Sequence, residues 1–333
     1  MKKVGFTTTI PLEILIAAKK TPVDLNNIFI THPANKELLE RAENDGFPRN
    51  TCSWIKGIYG VVRHSNISEV IAVTQGDCSN AQALMETLQF QGIKVIPFFY
   101  PYDRDPALLS LSFKKLMEHY EITEDMCLKT KAALDKIRRK VHFLDELTWK
   151  ENTVSGKENH YYQVCSSDMN QDPRVFENEL GAFLNSIKKR QPFREEIRLG
   201  YIGVPPVFSD LYSFIETMSA RVVFNEMQRQ FSMPYPATTL LDQYLKYTYP
   251  YDIFTRIADI KNEVKKRKID GLIHYVQSFC FRQIEDSILK KSIDLPIVTI
   301  EGDQPSTLDS RNKMKIEVFI EMLRGRKNKK RGQ

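Results

Sequence analysis

The stretch EVIAVTQGDCSNAQALMETLQFQGIKVIPFF, residues 69–99, decides the fold class. EVIAVTQ (69–75) and KVIPFF (94–99) are short apolar runs typical of buried strands, and residues 79–90 between them have helical periodicity. The apolar side chains on one face of this predicted helix are Ala81, Leu84, Met85 and Leu88. A strand–helix–strand unit favours parallel pairing of its two strands, so the sequence predicts an α/β protein.

A second stretch, VQSFCFRQIEDSILK (276–290), repeats this pattern late in the chain. Gln75 and Gln277 are 202 positions apart, and so are Cys78 and Cys280. Both stretches consist of a strand end, the motif Gln-x-x-Cys and a predicted helix. The apolar stripe of the second helix is out of phase with that of the first; its members are Phe281, Ile284, Ile288 and Leu289. The pattern is therefore compatible with an internal duplication and also with two ordinary strand–helix–strand units.

Strands and helices alternate through both halves of the chain, which predicts two Rossmann-like doubly wound domains with a cleft between them. We place an N-terminal α/β domain at residues 1–192 and a C-terminal α/β domain at residues 193–323. Residues 324–333 are interpreted as a basic disordered tail, because they contain six of the chain's positive charges. HYYQVCSSD (160–168) is predicted to be the end of a strand.

The composition indicates an ordinary globular protein, with 333 residues, 42% hydrophobic and 27% charged. The net charge of +6 is concentrated in the last ten residues, and no basic helix or aromatic–basic stripe predicts a nucleic-acid partner. No apolar run is long enough to span a membrane. The start resembles a signal peptide, but Glu13 interrupts its apolar run and no cleavage site follows cleanly. We therefore expect a cytoplasmic protein without membrane contact.

The five cysteines are an odd number without the tight spacing of a disulfide framework, so reduced thiols are expected. Three of the cysteines immediately precede a predicted helix. They are Cys52 and Cys78 in the first predicted domain and Cys280 in the second. Ligands of open α/β sheets gather outside the carboxyl ends of the strands. The partial positive charge at a helix N-terminus also favours the thiolate form that binds metals. These three cysteines are candidates for the ligands of one metal cluster.

A second interpretation makes the same cysteines packing residues, because cysteine is small, apolar and often buried. The chain has no CxxC pair, which removes the usual compact spacing of ferredoxins and zinc ribbons. Cys127 and Cys165 are interpreted as packing residues. GYIGVPP (200–206) lacks the glycine pattern of a nucleotide-binding loop, and the six histidines form no HExxH motif. A metal-free two-lobed binding protein is therefore also an open alternative.

Four longer stretches resemble a known family. They are TTTIPLEILIAAKKTPVDL (7–25), RLGYIGVPPVFSDLYSFIETMSARVVFNEM (198–227), YDIFTRIADIKNEVKKRKIDGLIHYVQSFC (251–280) with its Arg256 and Asp270-Gly271, and LPIVTIEGDQPSTLDSRNKMKIEVFIEML (295–323). In these stretches the chain resembles the D-component family of 2-hydroxyacyl-CoA dehydratases. That family also contains benzoyl-CoA reductase subunits and double-cubane cluster proteins, and the resemblance covers nearly the whole chain.

The resemblance implies an iron–sulfur cofactor held by three cysteines, which match Cys52, Cys78 and Cys280. The cofactor would be a [4Fe–4S] cluster or half of a shared [8Fe–9S] double cubane. Members are anaerobic electron-transfer enzymes that work as homodimers, or as heterodimers with a similar chain. They receive low-potential electrons from an ATP-hydrolysing iron–sulfur activator protein. One electron placed on an acyl-CoA thioester carbonyl gives a ketyl radical that expels a hydroxyl group.

The resemblance therefore implies a dehydratase or reductase component, a lyase or an oxidoreductase. Two alternatives stay open: a double-cubane reductase of small molecules, and a cluster-bearing electron carrier without its own substrate. Seven further residues are expected near the cluster: Gln75, Asp77, Ser79 and Asn80 around Cys78, Gln277 and Ser278 before Cys280, and Trp54 after Cys52. Helix caps, turn residues and, for Trp54, a place in the core are the alternative interpretations of these side chains.

Overall fold

The computed structural model describes residues 1–331, which form two parallel sheets and the helices that connect their strands. The strands are β1 (Lys3–Phe6), β2 (Thr21–Asp24), β3 (Glu69–Gln75), β4 (Lys94–Phe99), β5 (Ile197–Ile202), β6 (Ala220–Asn225), β7 (Gly271–Val276) and β8 (Ile297–Glu301). The helices of the first half are α1 (Leu12–Ala17), α2 (Leu25–Thr31), α3 (Asn35–Asn44), α4 (Ser53–His64), α5 (Ser79–Phe90), α6 (Pro106–His119), α7 (Glu124–Trp149), α8 (Gly156–Cys165) and α9 (Pro173–Ser186). Those of the second half are α10 (Leu211–Glu216), α11 (Glu226–Phe231), α12 (Leu240–Lys246), α13 (Ile253–Arg267), α14 (Phe281–Ser292) and α15 (Ser310–Arg331). None of these helices is long and apolar enough to cross a membrane.

The two sheets have the same topology. Their strand orders are β2-β1-β3-β4 and β6-β5-β7-β8, and every strand pair is parallel. β6 and β7 are buried along their whole length, as expected for parallel strands covered by helices. The strand orders and the connecting helices confirm the prediction of an α/β protein with two doubly wound sheets.

The two Gln-x-x-Cys stretches occupy equivalent places in these sheets. Val70 of β3 pairs with Val95 of β4, and the residues 202 positions later, Leu272 and Ile297, pair in the same way. Helices α5 and α14 also begin and end 202 positions apart. The match seen in the sequence therefore reflects two units with the same strand order and, over residues 70–73 and 272–275, the same register.

The helix faces of the two units differ, as the sequence predicted. Ala81, Leu84 and Leu88 are the buried positions of α5. In α14, Leu289 is buried, but Phe281 and Ile284 of the predicted stripe are exposed. The early part of α14 thus has an apolar surface that its own unit does not cover.

The chain divides into two compact units, and each unit is built from three separate segments. Unit 1 consists of residues 1–141, 164–181 and 230–252, and unit 2 consists of residues 142–163, 182–229 and those from 253 onward. This division replaces the single boundary expected after residue 192. Helices α7, α8, α9 and α11 each pass from one unit to the other.

Tyrosines explain why residues 230–252 belong to unit 1. The rings of Tyr244, Tyr247 and Tyr251 lie 6.4, 6.1 and 6.0 Å from the ring of Tyr100, which follows β4. The Tyr244 hydroxyl also donates to the backbone oxygen of Ile10 at 3.0 Å. Buried aromatic area contributes strongly to core stability, so these contacts attach the segment to the first sheet.

Residues 160–168 form no strand, contrary to the sequence-based expectation. They begin inside α8, whose first turn has a reciprocal cap: the Glu158 N–H donates to Ser155 Oγ at 3.1 Å, and the Ser155 N–H donates to Glu158 Oε2 at 2.8 Å. The spacing Ser-x-x-Glu is a helix-start signal that outweighs the strand propensity of the following tyrosines. This motif was available in the sequence and would have predicted the helix.

The expected disordered tail is also corrected by the structure. α15 continues to Arg331, and residues 332–333 lie outside the described residues. Arg324 pairs with Glu196 at 3.2 Å, and Lys327 pairs with Asp270 at 2.8 Å. Cations near a helix C-terminus also interact favourably with its dipole, so this basic segment forms part of unit 2.

Two buried carboxyl groups attach residues 164–181 to the first sheet. Asp24, at the end of β2, accepts a hydrogen bond from Ser167 Oγ at 2.6 Å, and its backbone N–H donates to Asp168 Oδ2 at 3.0 Å. Burial raises the pKa of Asp168 to about 7, and the carboxylate of Asp24 adds to this rise. Asp168 therefore holds a proton at pH values where an exposed aspartate has lost it.

Replacing Asp168 with asparagine is expected to flatten the pH dependence of stability. Between about pH 4 and about pH 7 the folded protein retains a proton that the unfolded chain releases, so the free energy of unfolding of the native protein falls as the pH rises. Above pH 7 the Asp168→Asn variant should be more stable by about 4 kcal/mol. Urea unfolding at a series of pH values measures this. Exposed Asp294→Asn is the control, and parallel pH profiles for Asp168→Asn and the native protein would contradict the assignment.

Candidate functional site

The carboxyl ends of the two central strands are the expected ligand position in each sheet. In the order β2-β1-β3-β4 the connections reverse direction between β1 and β3, and in the second sheet they reverse between β5 and β7. Ligands of open α/β sheets bind outside the strand ends at such a switch point. Cys78 follows β3 and Cys280 follows β7, so each lies at the switch point of its own unit.

The three candidate cysteines all occupy the N-cap position of a helix. Cys52 precedes α4, Cys78 precedes α5 and Cys280 precedes α14, and each is half-buried. The backbone N–H groups of Lys56, Ala81 and Gln283 donate to the carbonyl oxygens of these cysteines at 3.1, 3.0 and 2.9 Å respectively. The positive ends of three helix dipoles therefore lie next to the three thiols.

Cys52 and Cys78 pack against the same hydrophobic core in unit 1, and so does Trp54. The Trp54 ring contacts the ring of Phe29 edge-on at 5.6 Å, which supports its interpretation as a core residue. Its Nε1 atom, however, is buried and has no hydrogen-bond acceptor among the described residues. A buried N–H group of this kind normally has a partner, so Trp54 is also suited to donate to a bound group.

The loop before Cys78 requires a glycine. Gly76 has a φ of +98°, and a Cβ at this position would lie 2.9 Å from the Cβ atoms of Tyr100 and Pro250. Asp77 Oδ1 accepts a hydrogen bond from the backbone N–H of Cys78 at 2.8 Å. These contacts fix the start of α5 and the direction of the cysteine.

The other three residues expected around Cys78 have exposed side chains. Gln75 is the last residue of β3, and its backbone oxygen accepts from the Tyr100 N–H at 2.9 Å. Ser79 and Asn80 are the first two residues of α5. A role for these side chains next to a cofactor stays a prediction.

The loop before Cys280 is held by buried and charged partners. Gln277 is buried, and its Nε2 donates to the backbone oxygen of Gly302 at 3.2 Å. The Ser278 hydroxyl donates its single proton to Glu301 Oε1 at 2.6 Å, and its oxygen lies 2.9 Å from Asp303 Oδ2. The Ser278 backbone N–H donates to Asp303 Oδ1 at 2.8 Å. These two carboxylates were not among the predicted site residues, although the run Glu-Gly-Asp (301–303) at the end of β8 is a visible signal.

Phe279 has an unusual conformation next to Cys280. Its φ is +61°, and its side chain is 76% exposed. A bulky residue in the left-handed region costs about 1–3 kcal/mol, and such strain concentrates at functional sites. The strained backbone of Phe279 thus lies directly before Cys280.

Cys127 and Cys165 lie in helices rather than at strand ends. Cys127 in α7 is completely buried, and Cys165 ends α8 and is buried as well. Burial raises the pKa of the Cys127 thiol to about 11, with a further contribution from the carboxylate of Glu13. Its thiol is therefore protonated at neutral pH and is a poor metal ligand.

Within residues 1–331, no three histidine, cysteine and carboxylate side chains are grouped as a complete metal site. The donor set nevertheless suits an iron–sulfur cluster, because thiolates are the ligands of such clusters. Three half-buried cysteines at helix N-termini provide suitable ligands. The buried indole N–H of Trp54, two residues after Cys52, provides a hydrogen-bond donor.

A comparison with protein families gives a match over almost the entire chain. A profile of the 2-hydroxyglutaryl-CoA dehydratase D-component family matches residues 7–323. No curated protein matches the chain significantly in sequence. The match includes all three candidate cysteines and every strand except β1, and the family consists of dehydratase-type enzyme components. The chain belongs to the 2-hydroxyglutaryl-CoA dehydratase D-component family.

Proposed function

We propose that this chain is the iron–sulfur component of a dehydratase or reductase driven by low-potential electrons. Cys52, Cys78 and Cys280 would each contribute a thiolate to one [4Fe–4S] cluster or to half of a shared double cubane. The cofactor would supply one-electron transfer at low potential. The electrons would come from an ATP-hydrolysing activator protein, and an acyl-CoA is the proposed substrate class. A second similar chain would complete a dimer.

The observation that carries this proposal is the equivalent placement of Cys78 and Cys280. Each cysteine follows the third strand of a sheet with the same topology, and each is the N-cap of the next helix. A packing role does not explain why both units have a half-buried thiol at the carboxyl end of the equivalent strand, where ligands of such sheets bind. Cys52 adds a third N-cap thiol that packs against the same core as Cys78.

The residues around the cysteines would tune the cofactor. The helix N-termini stabilise thiolates, and the buried Trp54 N–H is available to donate to sulfur. The carboxylates of Glu301 and Asp303 bind the loop before Cys280 through Ser278. Negative charge near a cluster disfavours an added electron, so these carboxylates would keep the reduction potential low.

Iron and acid-labile sulfide, measured per chain on protein purified without oxygen, test the proposal. We expect about four irons with matching sulfide, for either one cube per chain or a shared double cubane. Spectroscopy of the reduced protein then distinguishes the two cluster types. Absence of both iron and sulfide from protein never exposed to air would mean that the three cysteines only pack.

A further inference from the structure

A groove in unit 1 has no role in the proposed redox function. Its volume is about 740 Å³, and its walls come from the α1–β2 turn, from α7 and from residues 171–177. Pro22, Leu134 and Ile137 give it an apolar floor. Pockets of about 300–1,000 Å³ with an apolar floor and a few polar groups are typical of small-molecule sites.

The rim of the groove has an excess of unpaired positive charge. Lys20, Lys136 and Arg174 line it, and none of them forms an ion pair with a carboxylate of residues 1–329. Both acidic rim residues are already engaged. Asp172 Oδ1 accepts from the backbone N–H of Arg174 at 2.9 Å and thereby caps α9, and Glu177 pairs with Lys140 at 2.7 Å.

The segments that carry these cations have fixed backbones. Lys19, next to Lys20, has a φ of +55°, and three consecutive residues before the α9 rim, Met169, Asn170 and Gln171, have φ values of +53°, +49° and +66°. Non-glycine residues keep such conformations only where their surroundings enforce them. Here the hydrogen bond from the backbone N–H of Asp24 to Asp168 anchors the segment. The cations therefore project from a prearranged rim, which lowers the cost of binding.

The groove is separate from the cysteine site of the same unit. Lys20 and Pro22 lie at the start of β2, whereas Cys78 follows the end of β3. In a parallel sheet the N-terminal ends of all strands lie on one side of the sheet, and their C-terminal ends lie on the opposite side. A ligand in the groove would therefore not contact Cys78.

We propose that this groove binds an organic phosphate, with its apolar or aromatic body on the floor and its phosphates on Lys20, Lys136 and Arg174. Arginine binds phosphate oxygens through two parallel N–H groups, and lysine binds them as a point charge. Three cations without carboxylate partners suit a diphosphate better than a single carboxylate. The site would add a second binding function to the chain.

Isothermal titration calorimetry with ADP and with pyrophosphate tests this proposal. We expect one ADP per chain, weaker binding at higher salt, and pyrophosphate affinity about tenfold lower because it leaves the floor uncovered. Lys20→Gln, Lys136→Gln and Arg174→Gln should each weaken ADP binding about tenfold. These are surface substitutions, so the thermal unfolding midpoint should stay close to that of the native protein.

Lys129→Gln is the matched control on the same rim. Lys129 already pairs with Asp125 at 2.6 Å, so its loss should change ADP affinity less than twofold. ADP affinity that none of the three variants alters would overturn the proposal, as would the absence of saturable binding for both probes. Equal affinities for ADP and pyrophosphate would overturn the part of it that concerns the apolar floor.

Discussion

Replacing Cys52, Cys78 or Cys280 with serine is expected to remove most of the iron and sulfide from protein purified without oxygen. A cluster with three protein thiolates loses a third of its protein ligands in each variant, and serine oxygen is a much poorer ligand for these clusters. The visible charge-transfer absorbance should fall together with the iron content. Because each cysteine is a half-buried N-cap, the substitutions should leave the helices in place, which circular dichroism checks.

The two remaining cysteines are the matched controls for this experiment. Cys127→Ser and Cys165→Ser should keep the full iron and sulfide content, because these thiols are buried and neither precedes a helix at a strand end. Cys127→Ser is also expected to lose some stability, since it places a hydroxyl in an apolar environment. Equal iron contents in all five variants would contradict the ligand assignment, whatever the absolute iron content is.

Replacing Arg256 with methionine is expected to lower the free energy of unfolding by about 3–5 kcal/mol. Arg256 binds Glu226 through two hydrogen bonds, at 2.7 and 3.1 Å, and the two side chains are 0% and 1% exposed. It also pairs with Glu285 of α14, the helix that begins after Cys280. The substitution would leave the Glu226 carboxylate buried and without its countercharge. Urea unfolding of the native and variant proteins at neutral pH measures the loss.

The pH dependence of this loss distinguishes an uncompensated charge from poor packing. Burial acts to raise the pKa of Glu226, but Arg256 opposes it strongly enough that the pKa is lowered in the folded protein. Without Arg256 the pKa should rise, so the variant should recover stability as the pH falls and the carboxyl group takes up a proton. The double substitution Arg256→Met and Glu226→Gln should recover part of the loss at neutral pH as well.

An exposed ion pair of similar geometry is the control. Lys129 and Asp125 are 2.6 Å apart on α7, and their side chains are 76% and 70% exposed. Lys129→Met should therefore change the free energy of unfolding by less than about 1 kcal/mol. A loss of under 1 kcal/mol for Arg256→Met, equal to that of the control, would show that Arg256 contributes nothing through its burial.

The sequence by itself predicted the parallel strand–helix–strand units, the equivalent Gln-x-x-Cys stretches and the positions of the three cysteines before helices. These features depend on residues that are close in sequence. Apolar periodicity separates strands from helices, and the 202-residue offset reappears as equivalent helix ends and as the same register over residues 70–73 and 272–275. The signal that would have corrected α8, Ser155 with Glu158, is local in the same sense.

Only the tertiary structure decided which distant residues meet and which become buried. Residues 230–252 belong to unit 1, and Asp168 lies within hydrogen-bond distance of Asp24, 144 positions away in sequence. Arg256 is buried together with Glu226. Three cations that line the groove have no carboxylate partner in the described part of the chain. The pKa of Asp168 and the stabilisation expected from Arg256 both follow from these placements. Their physical cause is desolvation, which depends on the packing of remote segments and has no counterpart in local sequence pattern.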